Sequence, residues 1–195
     1  MEPPARRVAA VSGSGPAGVT RLLSDWRQGD AGAGDAVISM LYPELCRLAN
    51  RQLQGMAPMT LQPTALVHEV WLKLNRSEGP QCTSRAHFMS LAARVMRQIA
   101  IDHARRRHAG KRDGGLRVTL DDRVHGQEEQ GVDVLALDRA MDELAVLDSG
   151  KARIVEMHYF GGMSSDEIAE VMGCSAITVK RGWRAARAWL RESLE

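Results

Sequence analysis

The sequence predicts an all-α fold: two small helical modules joined by a flexible linker. Three observations carry this. Aromatic residues make up only 4% of the 195, while Ala, Leu, Arg and Met are plentiful; strand propensity resides in β-branched and aromatic side chains. Apolar residues recur at three- and four-residue spacings along most of the chain. Charge is segregated under a net of only +2: nine Lys/Arg stand against two Asp from Arg85 to Arg117, then nine Asp/Glu against two Arg from Val118 to Ser149. A chain of this length admits one medium domain or two small helical ones. The charge reversal suggests a boundary, with modules at about 19–112 and 133–195 and a linker at 113–132.

The first eighteen residues, rich in Pro, Gly and Ser, read as a disordered tail. "VTRLLSDWRQGD" is a short helix closed near Gly29. "DAVISMLYPELCRLANRQL" sets Val37, Leu41, Leu45, Leu48 and Leu53 at helical spacing, with Pro43 predicted to kink the helix or open its first turn. "PTALVHEVWLKL" starts on Pro63, suited to a first helical turn, and carries the stripe Leu66, Val67, Val70, Trp71, Leu74. "NRSEGPQCTSRAH" lacks periodicity and contains Gly79-Pro80, so it reads as a loop.

A long helix follows from about Arg85. Phe88, Leu91, Ala92, Val95, Ile99 and Ala100 are predicted to face inward, and Arg94, Arg97, Gln98, Arg105 and Arg106 to lie largely elsewhere. The linker has one short extended stretch, "LRVTL". The second module should hold four helices. Leu137, Met141, Leu144 and Leu147 mark the first; Ile154, Val155, His158 and Tyr159 mark the second, closed by Gly161-Gly162.

The last two form "SSDEIAEVMGCSAITVKRGWRAARAWL". Ser164 and Glu167 have capping-box spacing, Gly173 supplies a sharp turn, and Ser175 can cap the final helix. On that helix Val179, Trp183, Ala186 and Leu190 make one core stripe. Ser175, Thr178 and Arg181 occupy its exposed first turns, and Lys180, Arg184 and Arg187 flank it. A helix held by a tight turn, with small polar residues first and cations along its side, matches DNA-reading geometry. A solvated helix of an ordinary bundle has the same pattern, and Trp183 suits the core better than base stacking.

Several classes are disfavoured. Cys46, Cys82 and Cys174 are odd in number, with no CxxC, which fits reduced thiols in a cytoplasm better than a disulfide frame or a zinc site. No apolar run approaches the roughly 20 residues that span a bilayer, so no membrane insertion is expected. His103 and His108 lack the spacing of a metal-binding helix, and no P-loop or G-x-S-x-G occurs. No enzyme activity, metal or cofactor is therefore expected.

Taken together, these segments resemble the extracytoplasmic-function (ECF) subfamily of sigma factors, within the sigma-70 family. "FMSLAARVMRQIAIDHARRR" is similar to the family's −10 segment, FxxWLYRIARNLAIDHLRRR; "TALVHEVWLKL" to its polymerase-binding helix, DLVQETFLxx; and "FGGMSSDEIAEVMGCSAITVKRGWRAAR" to its −35 reader, FxGLSxEEIAExLGxSxGTVKSRLxRAR. The resemblance runs from about Val19 to Leu194, with both modules in order. The WLYR aromatics are replaced by Leu91 and Ala93, and the Asp opening DLVQE by Ala65; the TALVHE wording and Trp183 look like a divergent branch.

The resemblance implies a non-catalytic subunit that binds core RNA polymerase and directs it to promoter DNA. His68, Glu69, Leu72 and Lys73 would meet the clamp of the largest polymerase subunit, although Glu69 and Lys73 could equally form a mere i, i+4 surface pair. Arg76, Ser77, Gln81, Thr83, Ser84 and His87 would hold the opened −10 strand. Arg94, Arg97, Gln98, His103, Arg105 and Arg106 would guide the adjoining duplex, and Ser175, Thr178, Lys180, Arg181, Arg184 and Arg187 would bind the −35 element. Regulation by an anti-sigma factor or other partner is a family expectation that no residue here specifies. The acidic linker is a solvated spacer or a competitor for the basic faces. The rival class is a helix-turn-helix regulator that acts without core polymerase.

Overall fold

The computed structural model describes residues 16–54, 61–75, 80–110, 117–118 and 132–194. Helices dominate them: α1 (Pro16–Arg27), α2 (Ala31–Gln54), α3 (Pro63–Asn75), α4 (Arg85–Gly110), α5 (Val134–Leu147), α6 (Ser149–Val155), a π-turn (Glu156–Phe160), α7 (Ser165–Met172) and α8 (Ala176–Leu194). A two-residue antiparallel ladder pairs β1 (Arg117–Val118), within the "LRVTL" stretch expected to be extended, with β2 (Val132–Asp133), which was not expected. The described residues are all-α apart from this ladder.

Helices α1–α4 enclose one core. Leu23, Val37, Leu45, Leu48, Leu66, Val67, Val70, Phe88 and Met96 are fully buried in it, and Trp26 stacks obliquely between Trp71 and Phe88. The first helix starts at Pro16, so residues 16–18 are helical and do not belong to a disordered tail; residues 1–15 lie outside the described residues. It closes at Gly29, whose φ of 98° is the left-handed region open to glycine.

Pro43 does not sit in the first turn of α2; it lies in mid-helix. It is exposed, and so is Ser39 one turn before it. The carbonyl that proline deprives of a donor therefore faces water, which lowers the cost of the interruption.

Helices α5–α8 form a second assembly with two apolar clusters. Leu137, Met141, Leu144, Ala152, Val155, Phe160, Ala186 and Leu190 make one, and Ile154, Met157, Met163, Ile168 and Val179 the other. Ala86 of α4 enters the second cluster, so the two assemblies are packed together. Leu147, expected in the core, is 68% exposed. It is the last residue of α5, and the chain turns directly after it, where Asp148 caps α6 by accepting from the Lys151 amide at 2.9 Å. The second helix of this assembly does not run unbroken to Gly161-Gly162; its last turn, Glu156–Phe160, is π.

All three cysteines are free thiols. Burial alone pushes the Cys82 thiol up to about 12.

Candidate nucleic-acid interface

The terminal helix pair is built as its sequence signals. Ser164 Oγ accepts from the Glu167 amide and the Glu167 carboxylate accepts from the Ser164 amide, a complete capping box. Gly173 ends α7 at φ 64°, ψ 36°, so the chain reverses without a Cβ clash. Ser175 Oγ then accepts from the Thr178 amide at 3.1 Å and caps α8. Val179, Ala186 and Leu190 are buried along the inner stripe. Trp183 is half-buried, not enclosed; it stacks on His158 with centroids 4.3 Å apart.

The outer side of α8 exposes Ser175, Thr178, Lys180, Arg181 and Arg184, while Arg187 is half-buried. The two hydroxyls are committed locally: Ser175 Oγ and Thr178 Oγ1 lie 2.9 Å apart in a mutual hydrogen bond. Between them stands Ile177, 65% exposed. Sequence reasoning passed it over. Its signal was an apolar residue off the Val179–Trp183–Ala186–Leu190 stripe, where folding gives it nothing to pack against.

Helix α3 turns Leu66, Val67, Val70 and Leu74 inward. His68, Leu72 and Lys73 are exposed on its outer side, Leu72 by 55%. Glu69 lies 3.8 Å from His103 Nε2 of α4. Lys73 borders an open polar cleft with Gln98, Asp102, Arg105 and Asp142.

Of the expected capture loop, Arg76 and Ser77 lie outside the described residues. Gln81 and Thr83 are exposed; Ser84 instead caps α4 by accepting from the His87 amide at 3.2 Å. His87 opens onto a cleft shared with Ser90, Leu91, Arg94 and Arg153. Arg106 is exposed, and its Nε donates to the Asp102 carbonyl.

Arg97 departs most from expectation. It is buried, with 8% of its surface exposed. Its guanidinium meets Asp138 Oδ1 through Nη1 and Glu156 Oε1 at 3.0 Å through Nε, and lies over the Phe160 ring. Arg105 Nη2 reaches Asp138 Oδ2 at 2.7 Å, and Arg94 stands 3.9 Å from Glu156. The acidic partners come from α5 and the π-turn. A charged side chain tolerates such burial when it is paired and hydrogen-bonded.

Nearby, Gln52 Nε2 donates to the carbonyls of Ala93 (3.0 Å) and Phe160 (3.1 Å), and Arg51 Nη2 to that of Gly161 (3.4 Å). No group of metal-ligating side chains, and no helix long and apolar enough to cross a membrane, occurs among the described residues.

A family model described as ECF sigma factor matches residues 16–195. No curated protein matches the chain significantly. Two solved structures are similar to it. One is CnrH in complex with the cytosolic domain of CnrY, 17% identical, with a TM-score of 0.40, covering 89% of this chain and 94% of that one. The other is the sigma factor RpoE in complex with the anti-sigma factor NepR from Bartonella quintana, 17% identical, with a TM-score of 0.37, covering 82% and 95%.

Proposed function

The chain belongs to the ECF sigma factor family, and from that premise we propose that it binds core RNA polymerase and brings it to promoters through separate −10 and −35 contacts. The observation that carries this is α8: anchored by one buried stripe, it leaves Ile177, Lys180, Arg181 and Arg184 exposed directly after a left-handed turn. The first turns of such a helix meet base edges in the major groove, and its flanking cations hold phosphates. The division into modules at about 19–112 and 133–195 belongs to the same reading.

The outer side of α3, with His68, Leu72 and Lys73 exposed, suits the polymerase clamp. Leu72, 55% exposed, gives that side an apolar group to bury on docking. Gln81, Thr83 and His87 offer hydrogen-bonding groups for an unpaired −10 strand. Leu91 and Ala93 stand where the family has aromatics, so strand opening falls to polymerase. The two complexes suggest anti-sigma control as well, without identifying a partner.

Run-off transcription tests the reading. Core polymerase plus this chain should initiate specific transcripts, and neither should alone. A template premelted over −10 should rescue variants of Arg105 better than variants of Gln81 or Thr83, because loop residues act after opening. A chain that footprints duplex DNA by itself and never co-purifies with core polymerase is an ordinary helix-turn-helix regulator, and the proposal fails.

A further inference from the structure

We propose that the free chain is self-masked: carboxylates of its second helical assembly occupy the arginines that α4 would otherwise present to promoter DNA. The inference rests on the promoter-binding reading only for what the freed arginines do.

Arg94, Arg97 and Arg105 fall within one face of α4, as their spacings of three and eight residues require. Two carboxylates reach that face, burying Arg97 and pairing with Arg94 and Arg105, which stay exposed at their outer edges. Asp138 bridges Arg97 and Arg105, and Glu156 reaches Arg97 and Arg94. Exposed Gln98 shares the face, so the burial of Arg97 comes from the second assembly and not from the α1–α4 core. A guanidinium fork accepts a carboxylate or a phosphate through the same donors. Closure and phosphate binding therefore compete for one set of N–H groups.

The clasp has a second, independent half. Arg51 and Gln52 of α2 donate to the carbonyls of Gly161 and Phe160, at the end of the π-turn. Carbonyls at a helix end lack partners within the helix, so they are open to donors from outside. Ala86, inserted among Ile154, Met157 and Val179, adds apolar contact. Ionic, hydrogen-bonded and apolar contacts thus hold the same two bodies together over the face that would engage DNA. Polymerase, by holding the modules apart, would unmask it.

The test uses the full chain carrying Asp138→Asn, alone and with Glu156→Gln, each checked for folding by circular dichroism. The control is Glu143→Gln, an exposed acid on the same helix. X-ray scattering gives the radius of gyration. Fluorescence anisotropy gives affinity for a promoter fragment, unpaired over −10, taken from a run-off start site.

The double variant should expand. If the closed form outnumbers the open about ten to one, the free variant should bind DNA about tenfold more tightly than the parent. Glu143→Gln should change neither quantity, and core polymerase should abolish the difference. Unchanged dimensions in a folded double variant overturn the proposal, as does expansion without tighter binding. An equal gain from Glu143→Gln also overturns it, since bulk charge would then explain the effect. If no chain supports transcription with polymerase, the sigma-factor reading fails, while the scattering result still decides whether the clasp exists.

Discussion

Ile177 and Arg184 lie two turns apart on α8 and would make opposite demands on DNA. Ile177 stands where the family pattern has Gly, and its exposed side chain suits the methyl group of a thymine in the major groove. Replacing the matching −35 thymine by deoxyuridine should cost the parent about 0.8 kcal/mol, roughly fourfold in affinity, for one buried methyl. Ile177→Ala should show no such penalty at any position when a set of deoxyuridine-substituted promoters is titrated. Arg184→Ala should instead weaken binding to all sequences and lower the salt slope by about one, as for a single lost phosphate contact; a salt titration of holoenzyme on promoter DNA checks this. At this scale the sequence was readable wherever a residue answers to its own helix. Ser164, Glu167, Gly173 and Ser175 take the roles their spacing implies. It was unreadable where the partner is remote. Arg97 pairs with residues 41 and 59 positions away, and no local period encodes that.

Helix ends supply two predictions at the scale of elements. Hydrogen bonds from the Lys151 side chain and amide hold the Asp148 carboxyl below its ordinary range. Its folded pKa is depressed, so the stabilisation is complete above the unfolded value and is lost as pH falls through the folded one. Acid titration followed by circular dichroism should show α6 weakening on that limb, and Asp148→Asn should remove this pH dependence. The π-turn gives the second. A Cβ on Gly161 would come within 2.4 Å of the Met157 carbonyl oxygen, and backbone cannot step aside as a side-chain tip can. Gly161→Ala should therefore cost about 1–3 kcal/mol in chemical denaturation and loosen the Arg51 and Gln52 contacts, raising the radius of gyration. Periodicity located the helices of both assemblies, yet it missed the π geometry and the outward turn of Leu147. Both arise where packing, not propensity, decides how a helix ends.

For the whole molecule, the sequence shows that there are two helical assemblies but not how they meet, because the contacts joining them, Arg97 to Asp138 and Ala86 to the Ile154 cluster among them, lie between residues far apart in the chain. The small β1–β2 ladder then acquires a bearing on distance. With Arg117–Val118 paired to Val132–Asp133, the path from Gly110 to Val134 short-cuts residues 119–131. At about 3.5 Å per residue, that path extends to roughly 30 Å, less than one turn of duplex; unpaired, the same chain extends to roughly 80 Å, more than two turns. A two-residue ladder is cheap to break. Opening it would therefore lengthen the reach between α4 and α5 once the assemblies part. Val132→Pro, which cannot donate to the ladder, should lengthen the largest intramolecular distance in X-ray scattering when combined with Asp138→Asn, beyond the effect of Asp138→Asn alone. Deleting residues 119–131 joins Val118 directly to Val132, removes the ladder and leaves a path of roughly 38 Å; transcription should then be lost from promoters whose two elements lie two turns or more apart, since the assemblies could no longer reach both.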